Sequence, residues 1–134
     1  VVNAGGAWAM NIARLAGCAD VDLLYAKGTL LVNHDRMPRH VVNRLRPPGD
    51  GDILVPVHTV CILGTTDITV ENPDDARVTR EEVDALLVDG DRLVPGFSSA
   101  RVLRAYAGAR PLYDASAIGA EIRAALADAA PSSP

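Results

Sequence analysis

The sequence predicts an α+β domain: a mainly antiparallel, mixed sheet with helices flanking it. Three stretches of the 134-residue chain carry that expectation. Residues 52–67, DILVPVHTVCILGTTD, hold two β-branched apolar runs with little more than His58 between them. Runs apolar on both faces belong in the middle of a sheet. In residues 102–112, Leu103, Ala105 and Ala107 alternate with Arg104, Tyr106 and Gly108, the period of a strand. Between these stretches Thr79 stands three residues before Glu82, ahead of an apolar stripe, which reads as a capping box opening a helix.

Taken in order, residues 1–4 read as a short buried strand, Gly5 and Gly6 as a turn, and 7–16 as a helix. Trp8, Ile12 and Leu15 share one face of that helix, and Gly17 is placed just past its end. A strand, a glycine turn and a helix start let backbone amides approach an anion such as a phosphate, because glycine has no Cβ to hold it off. The same arrangement is more often plain structure. Leu23–Asn33 reads as two apolar pieces around Lys27 and Gly28; Lys27 is either a solvated strand-end charge or a cation directed at a ligand.

Residues 34–40 read as a polar loop, 41–46 as a short strand, and 47–51, PPGDG, as a turn. The break near Val57, His58 and Thr59 is read as a hairpin, with Pro56 at a strand end or edge because it lacks an N–H. Residues 68–78 carry the loop signal of Asn72, Pro73, Asp74 and Asp75. The helix after Thr79 buries Val83, Leu86, Leu87, Leu93 and Val94 and is stopped by Pro95 and Gly96. Gly90 interrupts its stripe and predicts fraying or a bend after Val88, while Glu81, Asp84, Asp89 and Asp91 make a solvated outer face. Pro111 ends the last strand, and Arg110 before it is held extended, with a fork suited to carboxylate or phosphate. On the residues alone, an anion site and a surface ion pair stand equal for Arg110. Residues 114–130 read as an alanine-rich helix lined by Ile118, Ile122, Leu126 and Ala129, and 131–134 as a disordered tail.

Composition narrows the function classes. With 13 basic and 17 acidic residues, a net charge of −4 and a pI near 5.2, neither nucleic acid nor an anionic membrane surface is an expected partner. An anionic substrate would need its cations placed locally. Cys18 and Cys61 are too few for a disulfide scaffold, have no metal-ligand spacing, and read as buried thiols. His34 and His40 share a loop without a third ligand and His58 is a turn residue, so no metal is expected. No apolar run approaches the ~20 residues of a membrane helix, and the start lacks the basic segment of a signal peptide. A cytoplasmic domain, cut from a longer polypeptide since the chain opens on Val1, is expected.

Four segments resemble a known family: VNAGGAW at 2–8, KGTLL at 27–31, NRLRPPGDGDILVPVHTVCILGTTD at 43–67, and LRAYAGARPL at 103–112. Together with RVTREEVDALL at 77–87 they are similar to the A-type flavoprotein subunit of anaerobic, FAD-dependent glycerol-3-phosphate dehydrogenases, in the D-amino-acid-oxidase-like superfamily. The middle block is the more specific part; the NAGGAW and GARP pieces are widespread among flavoenzymes. The resemblance implies a substrate (cap) domain over residues 1–113, with one strand-turn-helix from the FAD domain, followed by a separate C-terminal segment at 114–134.

It further implies hydride transfer from sn-glycerol 3-phosphate to flavin, giving dihydroxyacetone phosphate, with electrons passed through partner subunits to a membrane quinone. Such subunits would place the protein peripherally at the inner membrane. Ala4, Gly5, Gly6 and Trp8 would run beside FAD; Arg110 would face substrate; Lys27, Thr65 and Thr66 would line its pocket. Where aerobic relatives carry a histidine, Leu30 stands, so no proton acceptor is assigned there. Arg110, the threonines and the glycine bend are accordingly expected to converge on one anion-sized hollow.

Two other readings compete. One is a non-catalytic interaction module derived from such a domain; the other is an amine- or amino-acid-oxidising relative, whose pocket would be aromatic and less basic. The chain departs from the family in lacking a G-x-G-x-x-G fingerprint and in its alanine-rich end. These 134 residues alone are therefore expected to bind no FAD tightly and to be inactive. A flavin absorbance band co-purifying in stoichiometric amount with the isolated chain would contradict that expectation.

Overall fold

The structure, a computed structural model, describes residues 1–18, 22–44 and 53–113. The turn read at 47–51 and the helix and tail read at 114–134 lie outside the described residues. A 3-10 turn at Gly6–Trp8 runs into α1 (Ala9–Leu15), and strands β1 (Leu23–Asn33), β2 (Val42–Asn43), β3 (Ile53–Val57), β4 (Val60–Gly64) and β5 (Ile68–Val70) follow. Then come α2 (Arg80–Leu93), a second 3-10 turn at Phe97–Ser99, and β6 (Val102–Tyr113).

β1 is the hub of a six-stranded sheet, and the described ladders are all antiparallel. β6 pairs with β1 over its whole length, from Leu23 opposite Tyr113 to Asn33 opposite Val102. A strand has two sides, so β4 and β5 share the other one, β5 against Tyr25 to Lys27 and β4 against Leu30 to Asn33. β3 and then β2 extend the sheet beyond β4. β5 falls in the stretch read as loop: three residues beside a turn cluster are too short to show a period.

The hairpin between β3 and β4 closes as expected, with Val57 opposite Val60 and His58 at a φ of 50°. Pro56, opposite Cys61, lies inside β3 yet meets no β2 residue, because β2 pairs only with Ile53 and Leu54. Its missing N–H thus leaves no ladder bond unmade on that side. Pro111 likewise does not end β6, which continues to Tyr113. β6 has no strand on its outer side among the described residues, and an edge is where a strand tolerates proline.

Because side chains alternate across a sheet, β1 sends Lys27, Thr29, Leu31 and Asn33 to one face and Ala26, Gly28, Leu30 and Val32 to the other. α2 covers the first face. Leu31, Leu54, Cys61, Leu63, Leu86 and Phe97 form the buried core there, with Val83, Leu87, Leu93 and Val94 packed around them. The capping box is complete: Glu82 N–H donates to Thr79 Oγ1, and Thr79 N–H donates to Glu82 Oε2. α2 runs unbroken through Gly90 to Leu93, against the expected fray. Gly90 is buried because the Phe97 ring lies on it, where a Cβ would overlap the ring. Asp89 is not free surface either; it pairs with Arg44 at 3.1 Å and Arg92 at 2.9 Å.

The N-terminal segment departs most from expectation. Residues 1–5 form no strand, and Trp8, Ile12 and Leu15 are exposed at 47%, 43% and 89% while Ala7 and Met10 are buried. The described residues contain no pairing strand for the first and no covering layer for the others. α1 ends as Gly17 predicts. Gly17, at φ 77°, donates to Arg14 and Cys18 donates to Ala13, a Schellman closure that leaves Cys18 exposed rather than buried. Cys61 is buried as read. Desolvation raises its thiol pKa, outweighing a hydrogen bond with the Met37 backbone.

The packing of Phe97 on Gly90 sets a test. Alanine improves helix propensity by about 1 kcal/mol, but overpacking a buried contact costs about 1–3 kcal/mol. Gly90→Ala should therefore lower the melting temperature, read by thermal unfolding, where an exposed helical glycine would raise it.

Candidate functional site

The two faces of β1 build two different environments. On the helix-covered face, Glu82 from the first turn of α2 meets Lys27, Thr29 and Thr66. Lys27 Nζ donates to Glu82 Oε2 at 2.9 Å and to the Arg77 carbonyl at 3.0 Å. Thr29 Oγ1 and Thr66 Oγ1 donate to Glu82 Oε1 at 2.8 and 3.2 Å. Thr66 Oγ1 also accepts the Thr29 N–H at 2.9 Å. All four residues are buried. Burial would raise the Glu82 pKa, but hydrogen bonds from Lys27, the Thr79 N–H and Thr29, with the Lys27 charge, outweigh it and bring the carboxyl to about 2. Glu82 thus holds its charge at any physiological pH.

On the open face, β6 supplies Arg104, Tyr106, Gly108 and Arg110 opposite Val32, Leu30, Gly28 and Ala26. A hollow of about 270 Å³ lies there, lined by Gly28, Leu30, Thr65, Tyr106, Gly108 and Arg110, and its walls are mostly apolar. Gly28 is needed for its shape: a Cβ there would come 2.9 Å from Thr65 Oγ1. Arg110 donates from Nη2 to Asp67 Oδ1 at 2.9 Å and from Nε to the Ala26 carbonyl at 3.5 Å. Arg104 lies over the Tyr106 ring, 5.7 Å from its centre, and adds a second cation to this face.

The residues singled out from the sequence are thus divided. Arg110 and Thr65 line one hollow. Lys27 and Thr66 lie on the other face, and Lys27 borders a separate cleft of about 450 Å³ with Asp75, Arg77 and Thr79. Lys27 is neither a solvated strand-end charge nor a free cation; Glu82 neutralises it. Ala4, Gly5, Gly6 and Trp8 do not line the hollow, although the 3-10 turn at Gly6–Trp8 packs beside β6. Trp8 Nε1 instead donates to Asp74 Oδ1 at 3.1 Å.

Two residues on which the site depends are not signalled by the sequence. Glu82 reads there only as a helix cap, and Asp67 only as the end of a polar terminus. Their partners are more than a dozen residues away, so nothing local points to them. A third hollow, about 590 Å³ around Trp8, Arg14, Asp22, Glu71 and Asp74, is larger but acidic, and so ill suited to an anion. No group of three or more metal-ligating side chains occurs among the described residues, and no described helix is long and apolar enough to cross a membrane.

Residues 1–128 match the family of FAD-dependent oxidoreductases designated DAO. The chain belongs to that family. Within it, the chain is 47% identical over 114 residues to the A-type subunit of anaerobic glycerol-3-phosphate dehydrogenase from Escherichia coli (strain K12), covering 84% of this chain and 21% of the relative. It thus spans about one fifth of the length of such curated relatives. Among solved structures, glycine oxidase from Bacillus cereus ATCC 14579 superposes with a TM-score of 0.66 at 19% identity, over 82% of this chain and 29% of that one. Dithionite-reduced L-alpha-glycerophosphate oxidase from Mycoplasma pneumoniae, with FAD bound, gives 0.64 at 22% identity, over 84% and 31%. These two likenesses show that the fold is shared with about three tenths of each of those chains.

The glycine turn fits the approach of a flavin. Gly6 has φ 55° and open space where a Cβ would stand, while Gly5 admits Ile12 of α1 at a distance no side chain would allow. Ala4, Gly6 and Trp8 are exposed around this bend.

The buried pair gives a pH test with a definite sign. The Glu82 pKa falls from 4.5 to about 2 on folding, so its stabilisation is complete above pH 4.5 and is lost as pH falls from there toward 2. Glu82→Gln leaves Lys27 buried without its counter-charge and should cost about 3–5 kcal/mol near neutrality. In urea unfolding, that gap from the unaltered chain should narrow below pH 4.5.

Proposed function

We propose that residues 1–113 form the substrate-domain portion of a flavoenzyme that oxidises sn-glycerol 3-phosphate to dihydroxyacetone phosphate by hydride transfer. The observation that carries this reading is Arg110, a guanidinium set at the rim of a small, mostly apolar hollow, with Nη1 free of hydrogen-bond partners among the described residues. The 47% identity to the A-type subunit of a glycerol-3-phosphate dehydrogenase supports phosphate as the anion it binds.

In this reading Arg110 binds and orients the substrate through charge-assisted hydrogen bonds, which strengthen where apolar walls thin the water. Thr65 fixes the floor of the hollow, its hydroxyl donating to the Thr66 carbonyl at 2.6 Å. Leu30 and Tyr106 shield the reacting carbon from solvent. Ala4, Gly5, Gly6 and Trp8 would border the flavin, which when bound supplies the hydride acceptor. Lys27 and Thr66 act from behind the sheet, by holding the Glu82 network rather than by touching substrate. The chain would work with further dehydrogenase subunits that deliver electrons to a membrane quinone, which would hold the protein at the cytoplasmic side of the inner membrane.

A second reading has its own support. A guanidinium fork suits a carboxylate as well as a phosphate, and the glycine oxidase fold matches at a TM-score of 0.66, so the substrate would be an amino acid.

Removing Arg110 tests the assignment. In the full-length, flavin-loaded protein, Arg110→Gln should lower kcat/KM for glycerol 3-phosphate roughly 100-fold, as loss of one partner of a charged hydrogen-bonded pair does. Bound flavin, read by absorbance, should stay constant. An unaltered kcat/KM would remove Arg110 from the site, and a kcat/KM for glycine above that for glycerol 3-phosphate in the unaltered protein would select the second reading.

A further inference from the structure

We propose that Asp67 is a positioning residue for Arg110, setting which edge of the guanidinium meets the substrate's anionic group. The inference rests on Arg110 being the anion anchor. A guanidinium has a side-on edge, formed by Nε–H and one Nη2–H, and an end-on edge, formed by Nη1 and the other Nη2–H. The Ala26 carbonyl takes Nε at 3.5 Å and Asp67 takes Nη2 at 2.9 Å. Nε and Nη2, the two nitrogens of the side-on edge, both have acceptors, so Nη1 at the end-on edge is left to project toward a ligand.

Asp67 is itself held from the opposite face of the sheet. Its neighbour Thr66 is buried, donates its N–H to the Thr29 carbonyl at 3.3 Å, and has its hydroxyl fixed between the Thr29 N–H and Glu82. The Asp67 backbone therefore starts from a rigid point one residue away. The Arg110–Asp67 pair is itself half exposed, 51% and 56% at the two side chains, and pairs so open add little to stability. Removing Asp67 should leave the fold intact and free the guanidinium to sample other rotamers, so that ordering it becomes a cost of binding.

Charge alone predicts the opposite sign. Asp67 is an anion beside an anion site, and deleting it would strengthen the attraction for a phosphate if the carboxylate did nothing but repel. Positioning requires that deletion weaken binding.

The experiment uses the full-length, flavin-loaded protein with glycerol 3-phosphate. Asp67→Ala should raise KM about 10-fold with little change in kcat, the scale of one side chain's lost preorganisation. Asp67→Asn, which keeps an acceptor for Nη2, should recover part of that loss although it also lacks the charge. In the Arg110→Gln background, Asp67→Ala should have no further effect, and flavin content and melting temperature should match the unaltered protein throughout. A KM unchanged or lowered by Asp67→Ala, or raised equally in the Arg110→Gln background, overturns the proposal while leaving Arg110 as anchor. Arg110→Gln without effect overturns the anchor, and this inference with it.

Discussion

The sheet and the long helix are joined by one carboxylate. Glu82 caps α2 by taking the Thr79 N–H, and the same two oxygens accept from Lys27, Thr29 and Thr66. A buried ion pair is poor evidence for stability in itself, since desolvating two charges offsets most of their attraction. What this one supplies is register. Lys27 and Thr29 are alternate residues of β1, and only one placement of α2 along the strand brings both to Glu82 while leaving Leu86 in the core with Leu31 and Phe97 over Gly90.

The alternation of β1 then separates two tasks. Residues with odd numbers, from Lys27 to Asn33, face α2 and are tied into the core and the ionic network. Those with even numbers, from Ala26 to Val32, face the open side, where β6 sets its guanidinium groups. The hollow gains a rigid floor from the packed and hydrogen-bonded layer beneath it. Thr65 and Thr66, adjacent in sequence, show the division most sharply: one borders the hollow, and the other is sealed against Glu82.

Much of this is legible in the residues. The capping box at Thr79 and Glu82, the hairpin at His58, the α+β class and the run of Arg110 before Pro111 all rest on local rules, and local rules act over a few positions. The resemblance carried by the GTTD and GARP pieces leads to the family. What cannot be read depends on long-range partners. Lys27 resembles any strand-end lysine until Glu82, 55 residues later, is placed against it. Gly90 resembles a helix breaker until Phe97 is placed on it, and Pro111 a strand terminator until β6 is known to be an edge. Trp8, Ile12 and Leu15 have the spacing of one apolar face, yet a periodic stripe says nothing about whether a covering layer lies within reach.

β6 is twelve residues long, and among the described residues no strand takes up the backbone donors and acceptors of its outer side. Such a border is a template on which a foreign strand can lay itself down, and long flat ones seed fibrils. Here the row is spoiled as a template near one end by Pro111, which contributes no donor, and along its length by the like charges of Arg104 and Arg110, which a stacked identical strand would have to bring together. The guanidinium groups proposed to meet an anion would thereby also disfavour pairing of the chain with itself.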